Sequence, residues 1–192
     1  MSRVVIGLVG GIASGKSTVA RLFSAERRAV HVDADAIARQ VLARPGVRAA
    51  LARRIPGAGA NREMLAKTVF LDTRALAALE EVMHPPIRRA MVAAIRRARA
   101  PYVLVDAALL QETGADALCD HVVYVACPAR TRRRRAVRER GWSEAQHRAR
   151  EARQWSCRRK RARADFAIDN GGAVSSTRRD VRRLIRRIEG GR

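Results

Sequence analysis

The chain has 192 residues, 47 % of them apolar, which suits one compact domain with a real core and excludes wholesale disorder. No stretch approaches the ~18 consecutive apolar residues of a membrane span, and the N-terminal MSRVVIGLVGG lacks the longer apolar region and cleavage site of a secretory signal, so a cytoplasmic chain with no membrane partner is expected. Forty Lys and Arg against eighteen Asp and Glu give a net +22, a charge that attracts nucleic acid, anionic membrane or phosphorylated small molecules.

Five apolar, β-rich runs read as strands in chain order: residues 4–9, 29–32, 102–105, 121–125 and 166–168. Several are near-continuous rather than alternating, as strands buried on both faces are. Ala/Arg/Leu segments of helical periodicity lie between them; Leu76, Leu79, Val82 and Met83 fall at three- and four-residue steps. Strands alternating with helices predict an α/β domain with a mostly parallel sheet. Residues 43–61 hold Pro45-Gly46 and Pro56-Gly57-Ala58-Gly59, the composition of a loop and short-helix insertion. Pro128 suits the first turn of a helix after the fourth strand. Gly141-Trp142-Ser143 breaks a helix, and Ser143 with Gln146 has capping-box spacing for the next.

Residues 129–163 carry fifteen basic and three acidic side chains. Arginine occupies most faces of the helices expected there, and the apolar stripe around Arg130 to Arg135 is thin. Such a helix is expected to be weakly anchored, either as a mobile lid over an anionic ligand or as a nucleic-acid surface. Arginine recurs in almost every segment, however, which favours a compositional bias spread over solvated faces. Lys16, Lys67 and Lys160 are the only lysines. Cys119, Cys127 and Cys157 form no CxxC pair, and the four histidines have no metal-ligand spacing, so neither a disulfide framework nor a zinc site is expected.

Gly10-Gly11-Ile12-Ala13-Ser14-Gly15-Lys16-Ser17 matches GxxxxGK[ST] in full, after an apolar strand and before the helical Thr18-Val19-Ala20-Arg21-Leu22-Phe23. Glycines let backbone N–H groups turn inward around phosphate oxygens, and the helix N-terminus adds the positive end of its dipole. Lys16 can reach the β- and γ-phosphates and Ser17 can hold Mg²⁺. Asp106 ends the strand Tyr102-Val103-Leu104-Val105, a Walker B-like pattern that could hold Mg²⁺ directly or through water, or simply cap the strand. Asp33 and Asp35 end the second strand, at the edge where open parallel sheets bind ligands. One could accept a proton from an acceptor hydroxyl while the other caps a helix; strand geometry alone does not say which.

These residues resemble dephospho-CoA kinases, and the resemblance runs nearly end to end. It includes the loop through Thr18, close to that family's GGIGSGKST. It continues through Asp33-Ala34-Asp35 with Ile37-Ala38-Arg39-Gln40-Val41, Pro45-Gly46, Arg62, Leu65, Phe70, His84-Pro85 and Ile87. Leu109-Leu110, Glu112, Gln154 and Ile168-Asp169-Asn170 complete it. The resemblance implies a P-loop nucleotide-kinase-like α/β fold. Its five-stranded parallel core would comprise residues 1–35, 99–128 and 164–192, with a helical acceptor-binding part at about 36–98 and a lid at about 129–163. It implies transfer of the γ-phosphoryl of ATP, with Mg²⁺, to the ribose 3′-hydroxyl of dephospho-CoA. Asp35 would then be the general base, Lys16 the phosphate-binding lysine and Arg135 the lid arginine, with Arg140 a second lid candidate. Asp33, Arg62, His84, Leu109 and Glu112 fall in the acceptor-binding set, and Asn170 falls near the adenine.

His84 precedes Pro85 and Pro86 and could instead merely begin a helix. Trp142 and Trp155 read as packing residues rather than base-stacking platforms. The chain departs from the family pattern at Ala108, where a proline belongs, in a short segment after Pro45-Gly46, and in an arginine-rich lid. Ala13 stands where that loop pattern has a glycine, which is tolerable if its φ is negative. Another nucleoside or nucleotide kinase would share the loop and lid, but not the His-Pro and Leu-Leu-x-Glu elements. A basic nucleic-acid-binding protein on a kinase fold fits the charge, but with 4 % aromatics stacking platforms are scarce, so only weak, non-specific binding is expected.

Overall fold

The structure is a computed structural model that describes residues 3–56 and 62–191. Five strands form one parallel sheet: β1 (Val4–Val9), β2 (Ala29–Asp33), β3 (Tyr102–Asp106), β4 (His121–Ala126) and β5 (Phe166–Asp169), in the order β2-β3-β1-β4-β5. Each is at most one residue longer than its apolar run. β1 is buried along its whole length because it lies at the centre, in register with β3 (Ile6 opposite Leu104) and β4 (Leu8 opposite Val123). Helices α1 (Lys16–Glu26) and α9 (Val174–Gly190) pack on this sheet. Val181, Leu184, Ile185 and Ile188 of α9 repeat at three- and four-residue steps, so one stripe enters the core with Val19, Leu22 and Phe23 of α1. Phe23 meets Tyr102 edge to face at 5.2 Å.

The chain divides into two compact units, Met1–Asp33 with Arg97–Arg192, and Ala34–Arg96. The second unit is helical: α2 (Ala34–Leu42), α3 (Pro45–Arg54), α4 (Arg62–Leu71) and α5 (Thr73–Arg97), which ends one residue beyond it. Its core contains Val41, Leu51, Ile55, Leu65, Val69, Ala75 and Met83. Pro45 opens α3, and residues 57–61, the rest of the expected insertion, lie outside the described residues. The suggestion that His84 begins a helix is corrected: α5 runs straight through His84-Pro85-Pro86. An interior proline costs about 3 kcal/mol. Met83 and Pro86 are buried and Ile87 and Ala90 pack on the same core, so burial on both sides of the prolines offsets that cost.

Three further α-helices lie in the first unit: α6 (Ala129–Arg140), α7 (Glu144–Glu151) and α8 (Cys157–Ala162). Pro128 is the N-cap of α6 rather than part of its first turn. The Ser143 and Gln146 capping box forms with both bonds in place. Among the described residues no helix is long and apolar enough to cross a membrane.

Gly7, in mid-β1, permits close packing: a Cβ there would sit 2.6 Å from Leu110 Cδ2 and 2.9 Å from Cys119 Sγ. Burial, reinforced by Asp116 and Asp120, pushes the Cys119 thiol up to about 12 from an ordinary 9.0. The folded chain therefore keeps a proton that the unfolded chain loses above pH 9. Stability from this group is intact below pH 9 and falls as pH rises toward 12, by at most ~1.4 kcal/mol per unit. Tyr124, raised to about 12 by burial and its hydrogen bond with Cys157, adds a slope of the same sign. Guanidinium unfolding at pH 9 and pH 11 should show this loss, and Cys119→Ala should flatten it.

Candidate active site

The loop Gly10–Gly15 leaves the C-terminal end of β1, between β3 and β4, where the sheet's connections diverge and open α/β sheets bind ligands. It leads directly into α1, whose first three residues are Lys16, Ser17 and Thr18 and whose first turn holds no acidic residue. Unpaired N–H groups and the dipole at that end favour an anion. Ser14 N donates to Gly11 O at 3.1 Å, closing the loop, while Ile12 and Ser14 are buried.

Two other elements hold the loop from outside. Asn170, which follows β5, is buried; its Nδ2 donates to Ser14 O at 2.7 Å and its Oδ1 accepts from Thr177 Oγ1 at 3.2 Å. Gly15 is left-handed (φ 87°), and any Cβ there would collide with Asn170 Nδ2. Arg135 of α6 donates through Nη2 to Asn170 O at 3.1 Å and through Nη1 to Ser14 O at 3.5 Å, with Cys127 Sγ 3.6 Å away. Arg132, one turn earlier, is buried and paired with Glu151 of α7. The expectation that α6 is weakly anchored is thereby corrected. Buried Ala136 and the two guanidinium groups dock one face, so cation contacts replace the missing apolar stripe.

Asp106 ends β3 opposite Asp33 of β2 and Leu8 of β1. Lys16 Nζ lies 3.9 Å and His31 Nε2 3.8 Å from its carboxylate. The Ser17 hydroxyl and this carboxylate are hard oxygen donors, and Mg²⁺ held together with a polyphosphate needs only one or two such protein ligands. Among the described residues no larger group of His, Cys, Asp or Glu could hold a metal.

The turn after β3 buries Leu110 against β1 and leaves Leu109 partly exposed, its carbonyl accepting from Thr113. Glu112 Oε1 accepts from Trp155 N at 2.8 Å and pairs with Lys160 Nζ at 3.0 Å. Lys160 is almost fully buried and donates also to Ala108 O at 2.8 Å and Gln154 Oε1 at 3.1 Å. Burial lowers its pKa against the opposing pull of Glu112. Glu112 thus ties the β3 exit to α8.

In the helical unit, Asp35 is exposed in the first turn of α2, and His84 is exposed inside α5. The side chains of Arg62, which opens α4, and of Arg140 lie outside the described residues.

A family model described as dephospho-CoA kinase matches residues 4–176. A dephospho-CoA kinase of Corynebacterium diphtheriae is 42% identical over 195 residues, covering 96% of each chain. That of Anaeromyxobacter dehalogenans is 41% identical over 199 residues, covering 98% of this chain and 93% of the relative. A crystal structure from Thermus thermophilus, titled TT1252, superposes with a TM-score of 0.83 at 32% identity, over 96% of this chain and 97% of the other. The chain belongs to the dephospho-CoA kinase family. Enzymes of this family are kinases that complete coenzyme A biosynthesis, and their P-loop kinase fold is the α/β architecture described above.

Against the GGIGSGKST pattern of dephospho-CoA kinases, Ala13 is the departure that costs energy. Its φ is +57°, so the condition under which alanine would be harmless fails. A left-handed L-residue costs about 1–2 kcal/mol, part of which alanine recovers by restricting the unfolded chain. Ala13→Gly should raise stability by up to about 1 kcal/mol, read as a shifted denaturation midpoint. Lys160→Met strands a buried carboxylate and should cost about 3–5 kcal/mol in the same assay, and adding Glu112→Gln should recover part of the loss.

Proposed function

We propose that the loop Gly10–Thr18 binds Mg·ATP and that the chain transfers its γ-phosphoryl to the ribose 3′-hydroxyl of dephospho-CoA, giving coenzyme A and ADP in the cytoplasm. The observation that carries the reading is the junction of loop, Lys16 and Asp106 at one sheet edge, held by Arg135 and Asn170. Family membership supports the choice of acceptor.

Lys16 and the loop amides take the β- and γ-phosphates, while Arg135 lies beside Asn170 to balance charge as transfer proceeds. Arg140 supports it as a second lid arginine, and Asn170 lies toward the adenine. Ser17 and Asp106 would hold Mg²⁺, which when bound neutralises charge shared by the β- and γ-phosphates. The acceptor 3′-oxygen attacks the γ-phosphorus in line as the bond to the β,γ-bridging oxygen breaks. Asp35 receives the hydroxyl proton, and ADP leaves with the bond's electron pair. Asp33, Arg62, His84 and Leu109 hold the acceptor, Arg62 and His84 from the helical part at about 36–98. Glu112 contributes by fixing the β3 exit through Lys160. Residues 129–163 act as the lid.

The protein incubated with Mg·ATP and dephospho-CoA should yield coenzyme A by mass spectrometry. Lys16→Ala should abolish product, and Asp35→Asn should lower kcat by about 10²–10⁴ while ATP still binds. Full turnover in both variants refutes these roles, and product from a panel of other hydroxyl acceptors but not from dephospho-CoA refutes the substrate.

A further inference from the structure

Arg132 is not assigned a part in the reading above, yet it is the most completely buried arginine at the loop. Only 6% of the residue is exposed, and its Nε has no hydrogen-bond partner. Its guanidinium fills the space in front of Gly11: a Cβ at Gly11 would lie 2.5 Å from Nη1 and 2.8 Å from Cζ. Nη1 donates to Glu151 Oε1, and the other oxygen of that carboxylate lies 3.8 Å from Nδ1 of buried His147. Burying a cation is costly even with a counter-charge, and an apolar side chain of similar volume fills such a space more cheaply.

A second observation lies two residues along the loop, where Ala13 is held left-handed. A strained φ of this kind persists only where the surroundings over-determine it. Gly11 and Ser14 bracket Ala13, and their N–H to C=O bond spans it. The guanidinium packed on Gly11 is therefore placed to keep that turn closed. We propose that Arg132, aimed by Glu151, is a positioning residue for ATP: it holds the phosphate loop in its strained, amide-inward shape and adds a fixed positive charge behind it. The inference rests on the reading of this loop as the ATP phosphate site.

The test compares the ATP dissociation constant, by calorimetry, in the wild type, Arg132→Met, Ala13→Gly and the double variant, with melting temperatures alongside. Arg132→Met keeps the volume and loses the charge and the fork; it should weaken ATP about tenfold and leave the KM for dephospho-CoA within about twofold. On the Ala13→Gly background, where the loop has no strain to release, the same substitution should cost only about threefold. Arg132→Lys, which retains the charge, should lie between and decides the case where Arg132→Met fails to fold. Unchanged ATP affinity, or an equal loss on both backgrounds, overturns the inference while the kinase reading stands. Absence of ATP binding in the wild type overturns both.

Discussion

The loop Gly10–Gly15 surrenders its side-chain volume to its neighbours, and the sheet-bearing unit is organised around that crowding. Gly11 yields to Arg132 and Cys157, and Gly15 yields to Asn170 and Arg135. Gly10 lies so close to Val125 O that a Cβ would come within 2.8 Å of it. Each space is taken by a group from a distant part of the chain. The loop's shape is thus fixed by β4, α6 and the end of β5 together, rather than by its own sequence. This is how Ala13 tolerates a left-handed φ. It also explains why Asn170, whose amide spans Ser14 and Thr177, matters to a loop more than 150 residues away.

The cations divide by what they can reach. Arg135 spreads three contacts over Ser14, Cys127 and Asn170, which suits a planar fork. Lys160 instead converges on the Ala108 carbonyl, Gln154 and Glu112 from one point, which suits a compact ammonium with three rotatable donors. Three of the forty basic residues are lysines. Lys16 lies 3.9 Å from Asp106, Lys160 is buried and Lys67 is exposed.

The strands and the phosphate loop were legible because their signals are local: continuous β-branched runs, and glycine spacing between a strand and a helix. The arginine-rich segment at 129–163 was legible only as composition. Four consecutive arginines give no hint that Arg132 and Arg135 point inward while Arg133 and Arg134 face solvent. Helical phase decides it, and Ala136, one turn after Arg132 on the same face, is the one apolar marker in the sequence. The backbone angle of Ala13 could not be read at all, because it is imposed by partners far along the chain. His84-Pro85-Pro86 misleads for the same reason: proline's local penalty is overridden by a core that only the folded helical unit possesses. Glu112 shows the limit of motif reading. The Leu-Leu-x-Glu element was recognisable, but its buried pairing with Lys160 becomes visible only when residues 112 and 160 meet.

The net charge of +22 then acquires two separate meanings. Arg130, Arg133, Arg134 and Arg138 lie on the outer, exposed face of α6, and their field reaches bulk water. Interactions across water are screened beyond ~8 Å at physiological ionic strength, so the attraction of this face for an approaching polyanion is strongest at low salt. Arg132 and Arg135 lie on the inner face, against the loop, and their guanidinium groups are engaged by Glu151, Ser14 and Asn170. An arginine bias that looks uniform in the sequence is therefore sorted by one helix into a steering face and a holding face, and only the holding face requires arginine at particular positions.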